Sequence, residues 1–245
     1  MESTRTPDTR LQGYIPAGLR LELLALLAAE PQRTATMTYD EFLTWATEDT
    51  LAEWVDGKVI MTSPASARHQ LLTAFIHDAL SEYARTHDLG TVLLAPFQMK
   101  LPRSGREPDV LFVAAEHLSR LLPARVEGPA DLVVEILSPE SKGRDRGEKF
   151  YEYEEGGVPE YWLVDPATER AEFYQRDAQG AYQPVMPDAD GVYHARALPG
   201  FRFPVAWLWR TPLPTINAAL LAIDGEAYAR RLIAELTDGG FLPQT

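Results

Sequence analysis

Not one of the 245 residues is a cysteine, which excludes disulfide staples, thiolate zinc sites and a cysteine nucleophile together. The absence suits a reducing cytoplasm, the location expected for this chain. Long hydrophobic runs are missing as well. The apolar stretch from Leu19 to Ala29 is too short to span a bilayer and carries Arg20 and Glu22, and Met1 to Arg20 has no apolar core of a secretory leader. The expectation is therefore a soluble chain with no membrane partner. Positive charge is scarce too: 23 Lys and Arg against 36 Asp and Glu give a formal net charge of −13. That balance argues against a tight, nonspecific grip on a phosphate backbone. A local basic stripe can still hold nucleic acid, and carboxylates that bind metal add negative charge by necessity. What is present is ordinary for a globular protein: 45% hydrophobic and 24% charged residues exclude wholesale disorder and fibrous repeats. The length suits one large core.

The pattern divides the chain into an extension over residues 1–35, a main domain over 36–210 and a C-terminal helical extension over 211–245. The first extension holds one Leu/Ala-rich helix, Leu19 to Glu30. The last holds a helix over Thr215 to Leu236 with Leu220, Leu221, Ile223 and Leu232. In the main domain Thr38 and Glu41 have the spacing of a capping box, with Phe42 and Trp45 as the buried face of a short helix. Asp56-Gly57 marks a tight hairpin between two β-like runs in Leu51 to Thr62. Ser63-Pro64 reads as N-cap and first turn of a helix over Ala65 to Arg85, whose Leu72, Ile76, Leu80 and Tyr83 lay one face on a sheet. Val92 to Leu101, Pro108 to Ala114 and Ala130 to Ser138 read as three strands, the last a central one. Lys142 to Glu155 is a charged helix stopped by Gly156-Gly157. Glu160 to Val164 is a further strand, and Arg170 to Arg176 with Ala181 to Met186 forms an antiparallel meander. Together these elements predict an α/β fold, a mixed sheet with flanking helices.

One carboxylate, Glu135, interrupts the apolar run Leu132-Val133-Val134-Glu135-Ile136-Leu137. Burying it alone costs several kcal/mol or raises its pKa, so a partner or a cation is expected; the plainer alternative is a strand-end glutamate facing solvent or an arginine. Asp109 opens a neighbouring strand whose Leu111, Phe112 and Val113 are apolar. Two adjacent central strands that each offer one carboxylate suit magnesium, which takes oxygen ligands and needs only one or two from the protein. Alternatively, Pro108-Asp109 simply starts a strand. On the next helix Asp145, Lys149 and Tyr153 share one face through two four-residue steps. The plain reading of that spacing is an exposed Asp–Lys pair contributing ~0.3–0.5 kcal/mol, with Arg144 and Arg146 solvated beside it and Tyr153 in packing. His69 shares the apolar side of its helix with Leu72 and Ile76, where a satisfied core histidine is commoner than a catalyst.

These residues resemble the Uma-type family of restriction endonucleases in the PD-(D/E)XK nuclease superfamily. The resemblance runs from about Thr36 to Leu208. It is carried by Glu53-Trp54-Val55-Asp56-Gly57, His69, Pro108-Asp109-Val110 and Asp131-Leu132-Val133-Val134-Glu135-Ile136-Leu137-Ser138-Pro139. Asp145, Lys149, Tyr153 and Gly157-Val158-Pro159-Glu160-Tyr161-Trp162-Leu163-Val164-Asp165-Pro166 extend it. It implies a restriction-endonuclease-like core, with Asp109 and Glu135 as metal ligands and Glu53 as an upstream acid that completes or supports the metal shell. The superfamily's lysine normally stands two residues after the strand glutamate. Leu137 stands there in this chain, and Lys149 becomes the matching position.

The resemblance makes the main domain nuclease-like and implies Mg2+, with Mn2+ able to substitute, acting on DNA or another nucleic acid. His69 and Tyr153 are accessory candidates, and a homodimer would suit paired cuts on a duplex. Two other readings compete. One is a non-catalytic nucleic-acid or protein-binding module on a nuclease fold, favoured by the acidity and by Leu137. The other is a metal-free hydrolase using Glu53, Asp109 or Glu135 as paired carboxylates.

Overall fold

The computed structural model describes residues 36–47, 50, 52–61, 65–139 and 141–241. The expected helix from Leu19 to Glu30 and the Ser63-Pro64 cap lie outside these residues. Helix α1 (Tyr39–Trp45) begins at the capping box, where Thr38 Oγ1 accepts from the Glu41 N–H and the Glu41 carboxylate accepts from the Thr38 N–H. Phe42 is buried, but Trp45 is 48% exposed, which corrects the expected inward face. On a seven-residue helix only Phe42 reaches the interior, and the Trp45 ring lies 6.0 Å from it.

Strands β1 (Ala52–Val55) and β2 (Lys58–Met61) form the expected hairpin. Asp56 and Gly57 have φ of 46° and 83°, the left-handed pair that a two-residue turn of this kind demands. Helix α2 (Ala67–Thr86) starts two residues later than the expected Ala65 and is capped by Ser66, which accepts from the His69 N–H. The expected single strand over Val92 to Leu101 is two strands, β3 (Gly90–Leu94) and β4 (Gln98–Lys100), and they belong to different sheets. Pro96, between them, has no N–H with which to continue a ladder.

The remaining strands are β5 (Ser104–Arg106), β6 (Val110–Ala114), β7 (Arg125–Glu127), β8 (Leu132–Ile136), β9 (Glu160–Asp165), β10 (Arg170–Arg176) and β11 (Tyr182–Pro184). A five-stranded sheet has the order β2-β1-β5-β4-β7, and a six-stranded sheet the order β11-β10-β9-β8-β6-β3. In the larger sheet only β8 and β9 run parallel. Parallel neighbours need a long crossover, and helices α3 (Lys142–Arg146) and α4 (Glu148–Gly156) supply it.

Side chains alternate across the larger sheet. Val110, Phe112, Leu132, Val134, Ile136, Trp162 and Val164 meet Leu72, Ile76, Leu80 and Tyr83 of α2. Leu111, Val113, Val133, Leu137, Tyr161 and Leu163 face the crossover, with Tyr153 and Val158. Strand β8 completely buries Leu132, Val133, Val134 and Ile136, at about 1.5–3 kcal/mol each. That gain offsets the several kcal/mol that one desolvated carboxylate in the same strand costs. Helix α5 (Ile216–Asp238), capped by Thr215, lies against α2 through the ion pair Arg231–Glu82 and the hydrogen bond between His87 and Asp224. Among the described residues no helix is long and apolar enough to cross a membrane.

Candidate active site

Val110 pairs with Val134, and Leu111 with Val133, across antiparallel β6 and β8. Asp109 stands one residue before the start of β6 and reaches the end of β8 through its side chain. Asp109 Oδ2 accepts from the Ile136 N–H at 2.7 Å and lies 3.2 Å from His69 Nε2. His69 comes from the first turn of α2, and Thr73 Oγ1 lies 3.4 Å from its Nδ1. Glu135 is 4% exposed, and its Oε1 accepts from both Lys149 Nζ and the Tyr153 hydroxyl at 2.8 Å. Neither donor goes to Oε2.

The crossover is not one helix as expected. It breaks at Gly147 between α3 and α4, and beyond the break Lys149 and Tyr153 turn in toward Glu135. The exposed Asp–Lys pair that the spacing suggests is therefore wrong: Asp145 is 1% exposed and Lys149 5%. Lys149 Nζ also lies 3.3 Å from Glu53 Oε1 and 3.4 Å from Asp145 Oδ1. Glu53, on β1, is delivered from the smaller sheet and is buried, not solvent-facing. Its Oε2 accepts from Arg106 at 2.9 Å and its Oε1 from the Glu107 N–H at 3.2 Å. Arg106 is fully buried and forks onto Glu152 at 2.7 and 2.8 Å. Arg146, expected in solvent, pairs instead with Glu172 at 2.6 Å and Asp165 at 3.4 Å.

Carboxylates outnumber cations here, and the proton affinities record it. Burial pushes Glu135 well above the usual carboxylate range, opposed by Lys149 and reinforced by Asp145, Asp109 and Glu53. Glu107 rises to about 7, chiefly through burial. Burial acts on Glu53 in the same direction, but Lys149 and Arg106 outweigh it and hold that carboxyl low. Lys149 is held well above its ordinary value, because Glu135, Glu53 and Asp145 outweigh its own burial. His69 is raised as well, its burial overcome by the contact with Asp109. The group that yields is Glu135: the Lys149 ammonium keeps its proton, while burial and the neighbouring carboxylates make this carboxyl the one that takes a proton up more readily.

The structure thus gathers Glu53, Glu135, Lys149 and Tyr153 around one ammonium, and joins His69 to Asp109 beside them. Sequence reasoning missed Arg106, Glu107 and Asp145 as participants. The charged pair Arg106-Glu107, directly before Pro108-Asp109, was the available signal for the first two.

Residues 39–206 match the family described as "Putative restriction endonuclease", Uma2. The chain belongs to the Uma2 family. A crystal structure described as "a putative nuclease belonging to DUF820", from Anabaena variabilis, has the same fold as this Uma2 chain. The TM-score is 0.61 at 16% identity, covering 71% of this chain and 97% of that one. No curated protein matches the sequence. The Uma2 match spans every site residue named above, from Glu53 to Tyr153, and ends before α5.

Proposed function

We propose that this Uma2 protein is a magnesium-dependent endonuclease that hydrolyses phosphodiester bonds of DNA in the cytoplasm, with manganese able to substitute and a homodimer as the working unit. The observation that carries the reading is the Lys149 ammonium 2.8 Å from Glu135, with the Asp109 carboxylate on the N–H of the next residue, Ile136, at 2.7 Å. The donor set fits a hard divalent cation. Both protein donors to Glu135 take Oε1, both polar contacts of the Asp109 carboxylate fall on Oδ2, and burial raises Glu135 and Glu107, a cost that a bound cation offsets. Among the described residues no group of three or more His, Asp or Glu could hold a metal ion by itself. This matches a site in which two carboxylates leave the other positions to water and phosphate.

Asp109 and Glu135 would hold the cation, which when bound supplies a Lewis acid for a phosphoryl oxygen and acidifies a water. Tyr153 and Lys149 fix the rotation of the Glu135 carboxylate by engaging one oxygen. His69 and the Ile136 N–H do the same for Asp109. Lys149 contributes a fixed positive charge beside the reacting phosphate, where negative charge grows in the transition state. Arg106 keeps Glu53 ionised and in place behind the ammonium.

The test is incubation with supercoiled, linear and single-stranded DNA, with and without Mg2+ or Mn2+, beside Asp109→Asn. Cleavage is expected only with metal, and on the order of 10³-fold slower in the variant. Undiminished cutting by Asp109→Asn, or cutting in the presence of a chelator, overturns the assignment.

A further inference from the structure

The Lys149 ammonium has three N–H bonds, and three carboxylate oxygens face it: Glu135 Oε1 at 2.8 Å, Glu53 Oε1 at 3.3 Å and Asp145 Oδ1 at 3.4 Å. Two of the three carboxylates have other commitments. Glu135 also receives Tyr153, and Glu53 receives Arg106 and the Glu107 N–H. Asp145 is different: both its oxygens are sealed from solvent, and neither accepts a hydrogen bond among the described residues. Its backbone carbonyl accepts the buried Tyr161 hydroxyl at 3.1 Å, which anchors this turn to β9.

Magnitudes decide what this arrangement is for. Withdrawing a carboxylate from water without donors costs several kcal/mol, and Asp145 and Lys149 lie on two different helices, either side of the break at Gly147, so their pairing staples no single helix. Helix stability therefore does not account for Asp145. The backbone is shaped around the pair as well. Gly147 lies between its members, and a Cβ there would stand 2.8 Å from the Gly143 carbonyl oxygen. Glycine permits this close approach at the break, and both charged groups end in the interior.

We propose that Asp145 is a positioning residue that holds the Lys149 ammonium in place when Glu135 is given over to a metal ion, a role that rests on the reading of the site above. With Glu135 engaged, the ammonium keeps Glu53 and Asp145. Of these, only Asp145 has no second partner among the described residues and shares the crossover with Lys149. The ammonium is thereby left with one N–H turned toward the substrate and two retained by the protein.

The experiment compares full-length parent, Asp145→Asn and Asp145→Leu. Asparagine keeps the shape of the side chain and leucine removes its polarity, and thermal unfolding of each identifies the variants that fold, since removing one partner of a buried pair is destabilising. Three quantities are read: the slowly exchanging Lys149 ammonium signal in 15N-selective NMR of Mg2+-saturated protein, assigned with Lys149→Arg; Mn2+ affinity by calorimetry; and kcat and KM on plasmid DNA. The variants are expected to lose the ammonium signal and about 10- to 100-fold in kcat, with KM and Mn2+ affinity within about twofold of the parent. An intact ammonium signal with parental kcat in either folded variant overturns the role. If the parent cuts no nucleic acid while its ammonium signal still depends on Asp145, the endonuclease reading fails and the positioning role stands. A parent that cuts, with an ammonium signal indifferent to Asp145, sinks the positioning role alone.

Discussion

Glu135 and Glu160 are both glutamates in apolar strands, on the neighbouring parallel strands β8 and β9, and they are 4% and 0% exposed. They lie toward opposite ends of the strands and on opposite faces of the sheet. Glu160 is saturated: Oε1 accepts from Trp162 Nε1 at 2.8 Å and the Tyr193 hydroxyl at 2.6 Å. Its Oε2 accepts from the Arg196 and Ala197 N–H groups at 2.8 and 2.7 Å. Glu135 has two donors on a single oxygen. Both carboxyls are pushed up by burial, so burial alone does not separate them. The difference lies in what the chain leaves undone. Glu160 pins the segment after the meander to the sheet, whereas among the described residues the donors to Glu135 take one oxygen, at the end of a strand beside a second acid.

The sharpest way to break this contrast is to neutralise each glutamate in turn. Glu135→Gln should slow cleavage on the order of 10³-fold while leaving the thermal midpoint unchanged or higher, because a desolvated charge is removed. Cleavage kinetics and calorimetry on one sample check both halves. Glu160→Gln should do the reverse. An amide NH2 facing hydrogen-bond donors costs roughly 2–4 kcal/mol of stability, read by denaturant unfolding, with cleavage per folded molecule unchanged. If both variants lose stability alike, Glu135 is a structural residue and the contrast fails.

A third prediction concerns pH. In the metal-free protein Glu107, Glu135 and Glu160 all bind protons more tightly folded than unfolded. The stability they contribute is complete below their ordinary value of 4.5 and is lost as pH rises, through about 7 for Glu107. Asp165, held to about 2 by Lys142 and Thr168 against its burial, works oppositely, and only under acid conditions. The melting temperature of metal-free protein should therefore fall between about pH 5 and about pH 8.5, by ~2–4 °C per kcal/mol. Glu135→Gln should flatten that fall, and Mn2+ should restore the alkaline side in the parent alone. The smallest expected effect is that of Tyr153→Phe. Losing one of the two donors on Glu135 Oε1 removes about 1 kcal/mol, roughly fivefold in rate, whereas a pure packing role would leave the rate unchanged.

Much of the fold was legible because local chemistry decided it. Asp56-Gly57 fixed the hairpin, the spacing of Leu72, Ile76, Leu80 and Tyr83 fixed the inner face of α2, and the apolar run around Glu135 marked a central strand. Trp45 was misread because a helical period says which side a residue takes, not how far the core extends beneath it. The stretch from Val92 to Leu101 looked like one strand, since composition does not show that a chain changes sheets. The buried state of Asp145 and Lys149 was hidden by a spacing that surface pairs share, and only the break at Gly147 reverses it. Arg106 could not be placed from spacing, because its partners Glu53 and Glu152 stand 53 and 46 residues away. The same holds for Glu160, whose donors other than Trp162 lie 33 to 37 residues downstream.

Leu137 packs on the crossover side of the sheet, at the position where a glutamate-plus-two lysine would have pointed, since alternate residues of a strand share a face. Because the ammonium arrives from the crossover instead, that place is released to oily packing, and the strand can vary its bulk without touching the charge. A search keyed to a lysine two residues after the strand glutamate would pass over this protein, while one keyed to where a positive tip lands in space would find it. Relatives are then free to shuffle the order of their reactive groups, provided the destinations stay put.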